Sequence, residues 1–322
     1  MLIVQKFGGS SLADAQRLRH VARLCLERRQ MEQELVIVVS AMGDTTDILS
    51  SKALELSQCP PLREMDALMT TGEQQCAALL VMSLEELGLK AVSLTGWQAG
   101  ILTDCAYGGS DIKFIAPGRI EEELSLGRIP VVTGFQGICP KGDITTLGRG
   151  GSDTTAVALA AALEADACEI YTDVEGIYTA DPRIIPEARK LDVMDFRDML
   201  ALAKAGSQVL HAKSVELAMA NNVELELLSS FSGKRGTRLK LLKDAERPDF
   251  AGITGRPETG RISLGGKAAD AGALSKAVML LAEQGISVIS GDILKNCISI
   301  ETEKNAFLPA IKLLHREMLS ES

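Results

Sequence analysis

The sequence predicts an α/β fold, in which a mainly parallel sheet with helices on both faces is followed by a smaller α+β unit. Apolar strand patterns alternate with helical patterns along the first two thirds of the chain. Leu35–Val39 is a continuous apolar run, typical of a strand buried on both faces of a parallel sheet. The predicted strands are Leu2–Val4, Leu35–Val39, Ala91–Leu94, Pro130–Phe135, Cys168–Thr172 and Val223–Leu228.

The composition changes after Ser229, where a polar, basic and turn-rich stretch predicts a linker. The predicted division is a first domain at 1–240, a linker at 241–249 and a second domain at 250–322. The second domain is predicted as β-α-β-β-α, without an obvious last strand. Its elements are a strand at Ile262–Leu264, a helix at Gly272–Gln284, strands at Ile286–Ile293 and Cys297–Glu301, and a helix at Phe307–Met318.

Bulk composition excludes several classes of protein. The 322 residues carry a net charge of -9 and only 3% aromatic residues, which argues against nucleic-acid binding. The apolar run Ala156–Leu163 is too short to span a membrane, and the amino terminus leads directly into a strand without a secretory signal pattern. The three histidines are scattered and the seven cysteines include no CxxC pair, so no metal site is predicted. The cysteines are predicted to be buried thiols in a reducing cytoplasm.

The first candidate site is the KFGGSS segment, Lys6 to Ser11, directly after the first strand. Two glycines at a strand end let backbone N–H groups approach a phosphate, and Lys6 supplies a positive charge. An ordinary strand–turn–helix corner is the alternative. No GxxxxGK[ST] or GxGxxG pattern occurs, so P-loop and dinucleotide-binding folds lose their main support.

The second and third candidates follow the apolar strand at 35–39 and lie in the next helical stretch. The segment SAMGDTTD, residues 40–47, places hydroxyl groups at a strand end, where they could bind a carboxylate or cap a helix through Asp44 or Thr45. The TGEQ segment, residues 71–74, places Glu73 where it could hold an ammonium group, unless it is a surface glutamate.

The fourth candidate, TTLGRGGSDTT at residues 145–155, is a glycine-rich turn that leads into a helix. The positive end of a helix dipole and its free N–H groups form an anion site, and Arg149 can present a planar fork to a carboxylate. A tight turn with a capping aspartate is the alternative. The fifth candidate is TDVEGIYTADPR at residues 172–183, a polar loop whose Asp173, Tyr178 and Arg183 could meet ribose, adenine and phosphate.

Together the five segments resemble the aspartate kinases of the amino acid kinase superfamily, over roughly residues 1–240 and in that family's order. The resemblance implies the amino acid kinase fold, an L-aspartate substrate, and ATP with Mg²⁺ carried on the nucleotide. It implies a catalytic pair, Lys6 and Asp153. The implied substrate-binding residues are Ser40, Thr46, Glu73, Arg149 and Ser152. The implied nucleotide-binding residues are Lys6, Gly8, Gly9, Ser10, Thr172, Asp173, Tyr178, Arg183 and Gln208.

One position departs from the family pattern. Where relatives usually carry a nucleotide-contacting lysine after Gly-Ser or Gly-Ala, this chain has Gln208 in Gly206-Ser207-Gln208. Glutamine keeps a hydrogen-bond donor and loses the charge, which puts the affinity for ATP in question. Lys213, five residues later, is a candidate replacement.

The second predicted domain resembles the ACT regulatory fold, of which relatives commonly carry two copies. A single copy without a last strand leaves a sheet edge open, so we expect a homodimer through residues 250–322. Regulation by lysine or threonine, and insensitivity to both, are equally open alternatives.

The implied reaction transfers the γ-phosphoryl group of ATP to the aspartate side chain, the first step of lysine, threonine and methionine biosynthesis. The aspartate carboxylate is already ionised at neutral pH, so positioning and charge neutralisation should carry catalysis without a general base. Three alternatives stay open: a glutamate or acetylglutamate kinase, a non-catalytic amino-acid sensor, and a structural protein that only binds phosphate or nucleotide.

Overall fold

The structure, a computed structural model, describes residues 1–319; residues 320–322, the end of the predicted second domain, lie outside the described residues. The chain forms two compact units. Unit 1 contains Met1–Glu175 and Val223–Arg235, and unit 2 contains Gly176–Asn222 and the chain from Gly236 onward. The division into domains at 1–240 and 250–322 stays a prediction.

The strands are numbered in chain order. They are β1 (Leu2–Phe7), β2 (Glu34–Val39), β3 (Ala91–Leu94), β4 (Ile101–Thr103), β5 (Ile112–Ile115), β6 (Ile129–Thr133), β7 (Gln136–Ile138), β8 (Ile144–Thr146), β9 (Ala167–Thr172), β10 (Val193–Asp195), β11 (Leu225–Ser229), β12 (Arg235–Lys240), β13 (Gly252–Arg256), β14 (Arg261–Gly265), β15 (Val288–Leu294) and β16 (Cys297–Thr302).

The helices connect these strands. They are α1 (Ala15–Gln30), α2 (Thr45–Leu56), α3 (Leu62–Met69), α4 (Thr71–Glu86), α5 (Gly118–Ser125), α6 (Gly151–Ala162), α7 (Phe196–Ala205), α8 (Ala212–Ala220), α9 (Ala271–Glu283) and α10 (Phe307–Leu319). Asp14 caps α1, because its carboxylate accepts a hydrogen bond from the Arg17 N–H at 2.9 Å.

The main sheet of unit 1 is parallel, with strand order β11-β9-β1-β2-β6-β3. Side chains alternate across β1, so that Ile3 and Phe7 pack with α1 and α4 while the opposite face meets α6. Leu35 to Val39 are fully buried, as the continuous apolar run predicts. The predicted fold, a mainly parallel sheet covered by helices on both faces, is confirmed.

A second sheet of unit 1, with order β5-β4-β7-β8, did not follow from the sequence. Its strands have only three or four residues and show no sustained alternation of apolar and polar side chains. This small sheet matters for function, because β8 leads into the glycine-rich turn at 147–151.

In unit 2, an antiparallel sheet has the order β13-β14-β16-β15 and packs against α9 and α10. The predicted β-α-β-β-α pattern was therefore incomplete, because it omitted β13, which pairs with β14. Gly252 and Gly255 interrupt the apolar pattern of β13, which explains the omission. The sheet edges are β13 and β15, and β15 is mostly exposed. Unit 2 also contains the parallel pair β10–β12.

None of the helices within residues 1–319 is both long and apolar enough to cross a membrane.

Candidate active site

The site in unit 1 is built around Lys6, near the carboxyl end of the central strand β1. The Lys6 side chain lies on the face of the sheet covered by α6 and is largely buried. Its Nζ contacts Oδ1 of Asp153, in the first turn of α6, at 2.6 Å. The two residues implied as the catalytic pair are thus in direct contact. Asp153 does not cap α6, whose N-cap residue is Gly150.

The KFGGSS turn packs directly on the SAMGD turn that follows β2. The Gly43 N–H donates to the Gly9 carbonyl at 3.0 Å, and the Ser40 N–H donates to the Phe7 carbonyl at 3.2 Å. A Cβ atom on Gly9 would lie 2.7 Å from the Ala41 carbonyl oxygen. Gly9 is therefore required for the close approach of these two turns, in addition to its predicted role at a phosphate.

Glu73, in the first turn of α4, is buried beside the second motif. Its Oε1 accepts a hydrogen bond from the Ala41 N–H at 3.2 Å, and within the described residues its Oε2 has no hydrogen-bond partner. Burial raises the pKa of Glu73 to about 7, although hydrogen bonds from its own N–H and that of Ala41 oppose the shift. Glu73 is thus not a surface glutamate, and one buried oxygen is available for an ammonium donor.

The helix-capping alternative for the second motif finds no support. Asp44 occupies the N-cap position of α2, but its side chain makes no capping hydrogen bond. The Thr45 hydroxyl instead donates to the Met42 carbonyl at 2.6 Å. Ser40 and Thr46, the residues implied for substrate binding, are half-buried.

The glycine-rich turn before α6 presents Arg149 on the surface. Gly148 and Gly150 have φ angles of 73° and 71°, a left-handed conformation that non-glycine residues rarely adopt. Arg149 lies between them, is exposed, and forms no ion pair with any described residue. Ser152 is buried at the start of α6, where it packs against Gly134, the residue that follows β6.

The fifth motif is divided between the two units. Thr172 ends β9 in unit 1 and Asp173 follows it, and their side chains share a hydrogen bond of 3.2 Å. Tyr178, Arg183 and Gln208 belong to unit 2. The Arg183 guanidinium binds the Asp181 carboxylate at 2.7 Å and is otherwise exposed, and Gln208 is exposed.

Unit 2 contains contacts of this motif that sequence reasoning did not anticipate. The Ile253 N–H of β13 donates to the Thr179 carbonyl at 2.8 Å, and the Thr179 hydroxyl lies 2.9 Å from Nε2 of His315 in α10. Part of the predicted nucleotide motif is therefore hydrogen-bonded to β13 and α10, within residues 250–322, the segment predicted to resemble the ACT fold and called here the ACT-like segment. Their separation by over 70 positions in sequence leaves no local signal for this contact.

No group of three or more His, Cys, Asp or Glu side chains that could hold a metal ion occurs among residues 1–319.

Comparisons with known proteins agree with this geometry. The amino acid kinase family model matches residues 1–229. The aspartokinase of Mycolicibacterium smegmatis is 46% identical over 307 residues, covering 94% of this chain and 72% of the relative. Aspartate kinase from Synechocystis has a TM-score of 0.69 and 38% identity, covering 97% of this chain and 54% of that chain.

A further similar structure is E. coli aspartokinase III, solved with aspartate and ADP in an R-state. Its TM-score is 0.72 at 24% identity, and the match covers 93% of this chain and 78% of the E. coli chain. It supports the fold. This chain thus spans about three quarters of the first relative and about half of the Synechocystis protein. The chain belongs to the amino acid kinase family and, within it, to the aspartate kinases, the ATP-dependent phosphotransferases whose acceptor is a carboxyl group.

Proposed function

We propose that this chain, as it stands, transfers the γ-phosphoryl group of ATP to the side-chain carboxylate of L-aspartate, which yields 4-phospho-L-aspartate. The observation that carries the proposal is the buried Lys6–Asp153 pair at the carboxyl end of the parallel sheet, in the unit that also holds Glu73. Ligands in open α/β sheets bind beyond the carboxyl ends of the strands. This step serves the biosynthesis of amino acids derived from aspartate.

The acceptor needs no general base, because an aspartate side chain with a pKa of about 3.9 is already a nucleophilic anion at neutral pH. The barrier comes from repulsion between this carboxylate and the γ-phosphate. Lys6 would neutralise the transferring oxygens, and the N-terminus of α6 would add a positive dipole end. Asp153 would hold the Lys6 ammonium in place and would not remove a proton.

Mg²⁺ on the β- and γ-phosphates would supply further charge neutralisation. The donor set fits such an ion, because the Asp153 carboxylate offers hard oxygen atoms beside the cation that faces the phosphates. In this proposal the nucleotide carries the ion to the site.

Aspartate would be held at its two ends. The unpartnered Glu73 Oε2 would accept from the α-ammonium, and the exposed Arg149 fork would bind the α-carboxylate. Three further residues are proposed to line the substrate pocket: Ser40, Thr46 and Ser152.

The nucleotide would meet Lys6 and the backbone of the KFGGSS turn. Gly8 leaves the Lys6 ammonium uncovered on one side, since a Cβ atom there would be in contact with the Lys6 Nζ at 3.5 Å. The other proposed nucleotide-binding residues are Gly9, Ser10, Thr172, Asp173, Tyr178, Arg183 and Gln208.

The deciding experiment is an assay of ADP release with ATP, Mg²⁺ and a panel of L-aspartate, L-glutamate and N-acetylglutamate. We expect turnover with aspartate only, and trapping with hydroxylamine should yield aspartyl hydroxamate. Preference for another acceptor would assign the chain to a sister kinase. Aspartate binding by calorimetry without ADP release would identify a sensor.

Arg149→Lys should raise the aspartate KM about 5- to 150-fold, because lysine keeps the charge and loses the bidentate fork, at a cost of about 1–3 kcal/mol. The ATP KM should stay within about twofold, and Arg19→Lys, an exposed position on α1, serves as the control. Steady-state kinetics with each substrate varied in turn measures both constants. A rise in the ATP KM alone would place Arg149 at the nucleotide.

We also propose a homodimer through the ACT-like segment. β15 is a sheet edge that exposes Ile289, Ile293 and Leu294, with exposed fractions of 62%, 49% and 50%. An open apolar edge favours pairing with another strand, and a second copy pairs with two-fold symmetry. In the predicted β-α-β-β-α pattern one edge of the sheet had no partner strand. In the structure β13 pairs with β14 at that edge, so the open apolar edge is β15.

Replacement of both Ile289 and Ile293 by lysine should therefore convert the dimer to a monomer, since charges on an edge strand oppose pairing. Sedimentation velocity of the full chain measures this, and Met82→Lys, which charges an exposed apolar position in unit 1, is the control. A monomeric parent chain, or a double variant that stays dimeric, contradicts the proposed contact.

E. coli aspartokinase III was also solved with lysine and aspartate in a T-state. We propose that an amino-acid effector acts on this chain through the dimer. Lysine or threonine added to the kinase assay tests the proposal, and inhibition that disappears in the β15 double variant supports it.

The seven free cysteines, five of them buried, support a cytoplasmic location.

A further inference from the structure

Asp66, in α3, lies outside all five motifs and is only 2% exposed. No lysine, arginine or histidine among residues 1–319 forms an ion pair with it. A buried carboxylate is costly unless hydrogen bonds compensate for lost solvation. The placement of this charge therefore needs a specific reason.

The Asp66 carboxylate accepts hydrogen bonds from two segments of unit 1. The Gly108 N–H donates to both oxygens, at 3.1 and 3.0 Å. The Thr146 N–H donates to Oδ2 at 3.1 Å, and the Thr146 hydroxyl donates to Oδ1 at 2.6 Å. The two backbone N–H groups can only donate, and the Gly108 N–H contacts both oxygens, so a carboxylate satisfies every contact, whereas an amide would place its N–H₂ group against the Gly108 N–H.

Thr146 is the last residue of β8, and Arg149 follows three positions later. The turn between them also lies close to the second Asp66 partner, because a Cβ atom on Gly148 would be in ordinary contact, 3.6 Å from the Gly108 carbonyl oxygen. Asp66 therefore anchors two segments that adjoin the turn carrying Arg149.

On its other side, Asp66 is tied to the segment that carries Glu73. The Asp66 carbonyl accepts from the Thr70 N–H at 3.2 Å, at the junction of α3 and α4. The Thr70 carbonyl in turn accepts from Nε2 of Gln136 at 3.1 Å. Glu73 follows in the first turn of α4. The bond from Thr70 is a helical backbone bond, so the connection runs through α3, which carries the Asp66 side chain and leads directly into the segment with Glu73.

We propose that Asp66 is a positioning residue that fixes the separation of Glu73 and Arg149, and thereby sets the affinity for the two charged ends of aspartate. The proposal rests on the proposed function. A displacement of about 1 Å in a positioned group can cost on the order of 100-fold. Lys6 and the KFGGSS turn make no hydrogen bond to Asp66, so the ATP KM should be unaffected.

The test compares Asp66→Asn, Thr146→Val and Thr146→Ser in the full chain. In Asp66→Asn an amide N–H₂ would face an N–H donor, and Thr146→Val removes the hydroxyl. We expect both variants to raise the aspartate KM about 10- to 100-fold, with the ATP KM within about twofold. Thr146→Ser keeps the hydroxyl and should stay near the parent value.

Asp143→Asn is the matched control, because Asp143 anchors the same β7–β8 hairpin through Arg63 and Tyr107, each at 2.8 Å, without touching Thr146. It should lower the Tm without changing the aspartate KM. If Asp66→Asn does not fold, the proposal is tested by comparing the aspartate KM of Thr146→Val with that of Thr146→Ser.

An unchanged aspartate KM in Asp66→Asn and Thr146→Val, or a parallel rise of both KM values, overturns the positioning role while the parent chain stays active. A parent chain without aspartate-dependent ADP release overturns the proposed function and this inference with it.

Discussion

Lys6→Ala is expected to lower kcat by about 10²–10³-fold, the typical effect of removing one preorganised charge-stabilising group. The structure adds a second reason, because Lys6 is the partner of Asp153 at 2.6 Å and both side chains are largely buried. Without Lys6, the Asp153 charge would face the incoming phosphates without compensation. Both substrate KM values should change less than kcat, since the lysine acts chiefly on the transferring group.

Steady-state turnover with saturating aspartate and ATP measures this effect. Lys90→Ala is the matched control, because Lys90 is exposed and directly precedes β3, at the opposite end of the sheet. A Tm close to that of the parent chain would show that the loss is chemical. Turnover of Lys6→Ala within a few fold of the parent chain would remove Lys6 from the reaction.

Much of unit 1 could be predicted because its elements carry strong local patterns. The run at 35–39 is apolar at every position, and Asp14 begins a helix with regular apolar spacing. The strand at 91–94 has the predicted bounds, and the other predicted strands of the parallel sheet differ from the observed ones by a few residues at their ends. Since parallel strands end at one edge of the sheet, the motifs after β1 and β2 could be placed together.

The missed elements lack such patterns. β7 is the three-residue segment Gln-Gly-Ile, and β13 contains two glycines, so tertiary pairing rather than local propensity makes them strands. Asp66 was missed for a related reason. A single aspartate within an amphipathic helix resembles a surface residue, and only its contacts with Gly108 and Thr146 reveal that it is buried.

For the site residues too, the sequence predicted which residues belong to the site, and it did not predict their contacts. Motif order was sufficient to group Lys6, Glu73 and Arg149 as candidates. The Lys6–Asp153 contact joins residues almost 150 positions apart, and the free Oε2 of Glu73 depends on burial by several elements. Such facts arise from packing and have no signature in a short segment.

Glu73→Gln is expected to impair substrate binding and to stabilise the protein at the same time. A glutamine cannot form the charge-assisted hydrogen bond to an α-ammonium, so the aspartate KM should rise about 10- to 100-fold, as expected for about 1.5–3 kcal/mol. In the parent chain the pKa of Glu73 is about 7, so its aspartate KM should also rise as the pH falls below 7. Aspartate titrations between pH 6 and pH 8.5 measure both effects.

The sign of the stability effect follows from the direction of the pKa shift. Burial raises the pKa of Glu73 from 4.5 to about 7, so the folded state holds this proton more tightly than the unfolded state. Glu73 therefore lowers stability progressively as the pH rises from about 4.5 to about 7, and the loss is complete above that range. Glutamine removes this cost, so the variant should gain about 3 kcal/mol in the free energy of unfolding at pH 8 and almost nothing at pH 4.5.

Glu123→Gln provides a control of opposite sign in a glutamate that is likewise only 3% exposed to solvent. Burial alone would raise the pKa of Glu123, but hydrogen bonds from Arg119 and Arg128, at 2.8 and 2.9 Å, outweigh it and lower the pKa. Its ionised form therefore stabilises the fold at neutral pH, so this variant should lose stability at pH 8 and keep the parent aspartate KM. Urea unfolding at pH 4.5, 6 and 8 separates the two cases. A Glu73→Gln protein with a parental aspartate KM would place Glu73 outside the substrate site. Parental stability at pH 8 would contradict an ionised and unpaired carboxylate at this position, because replacing such a buried charge by a neutral group changes the free energy of unfolding.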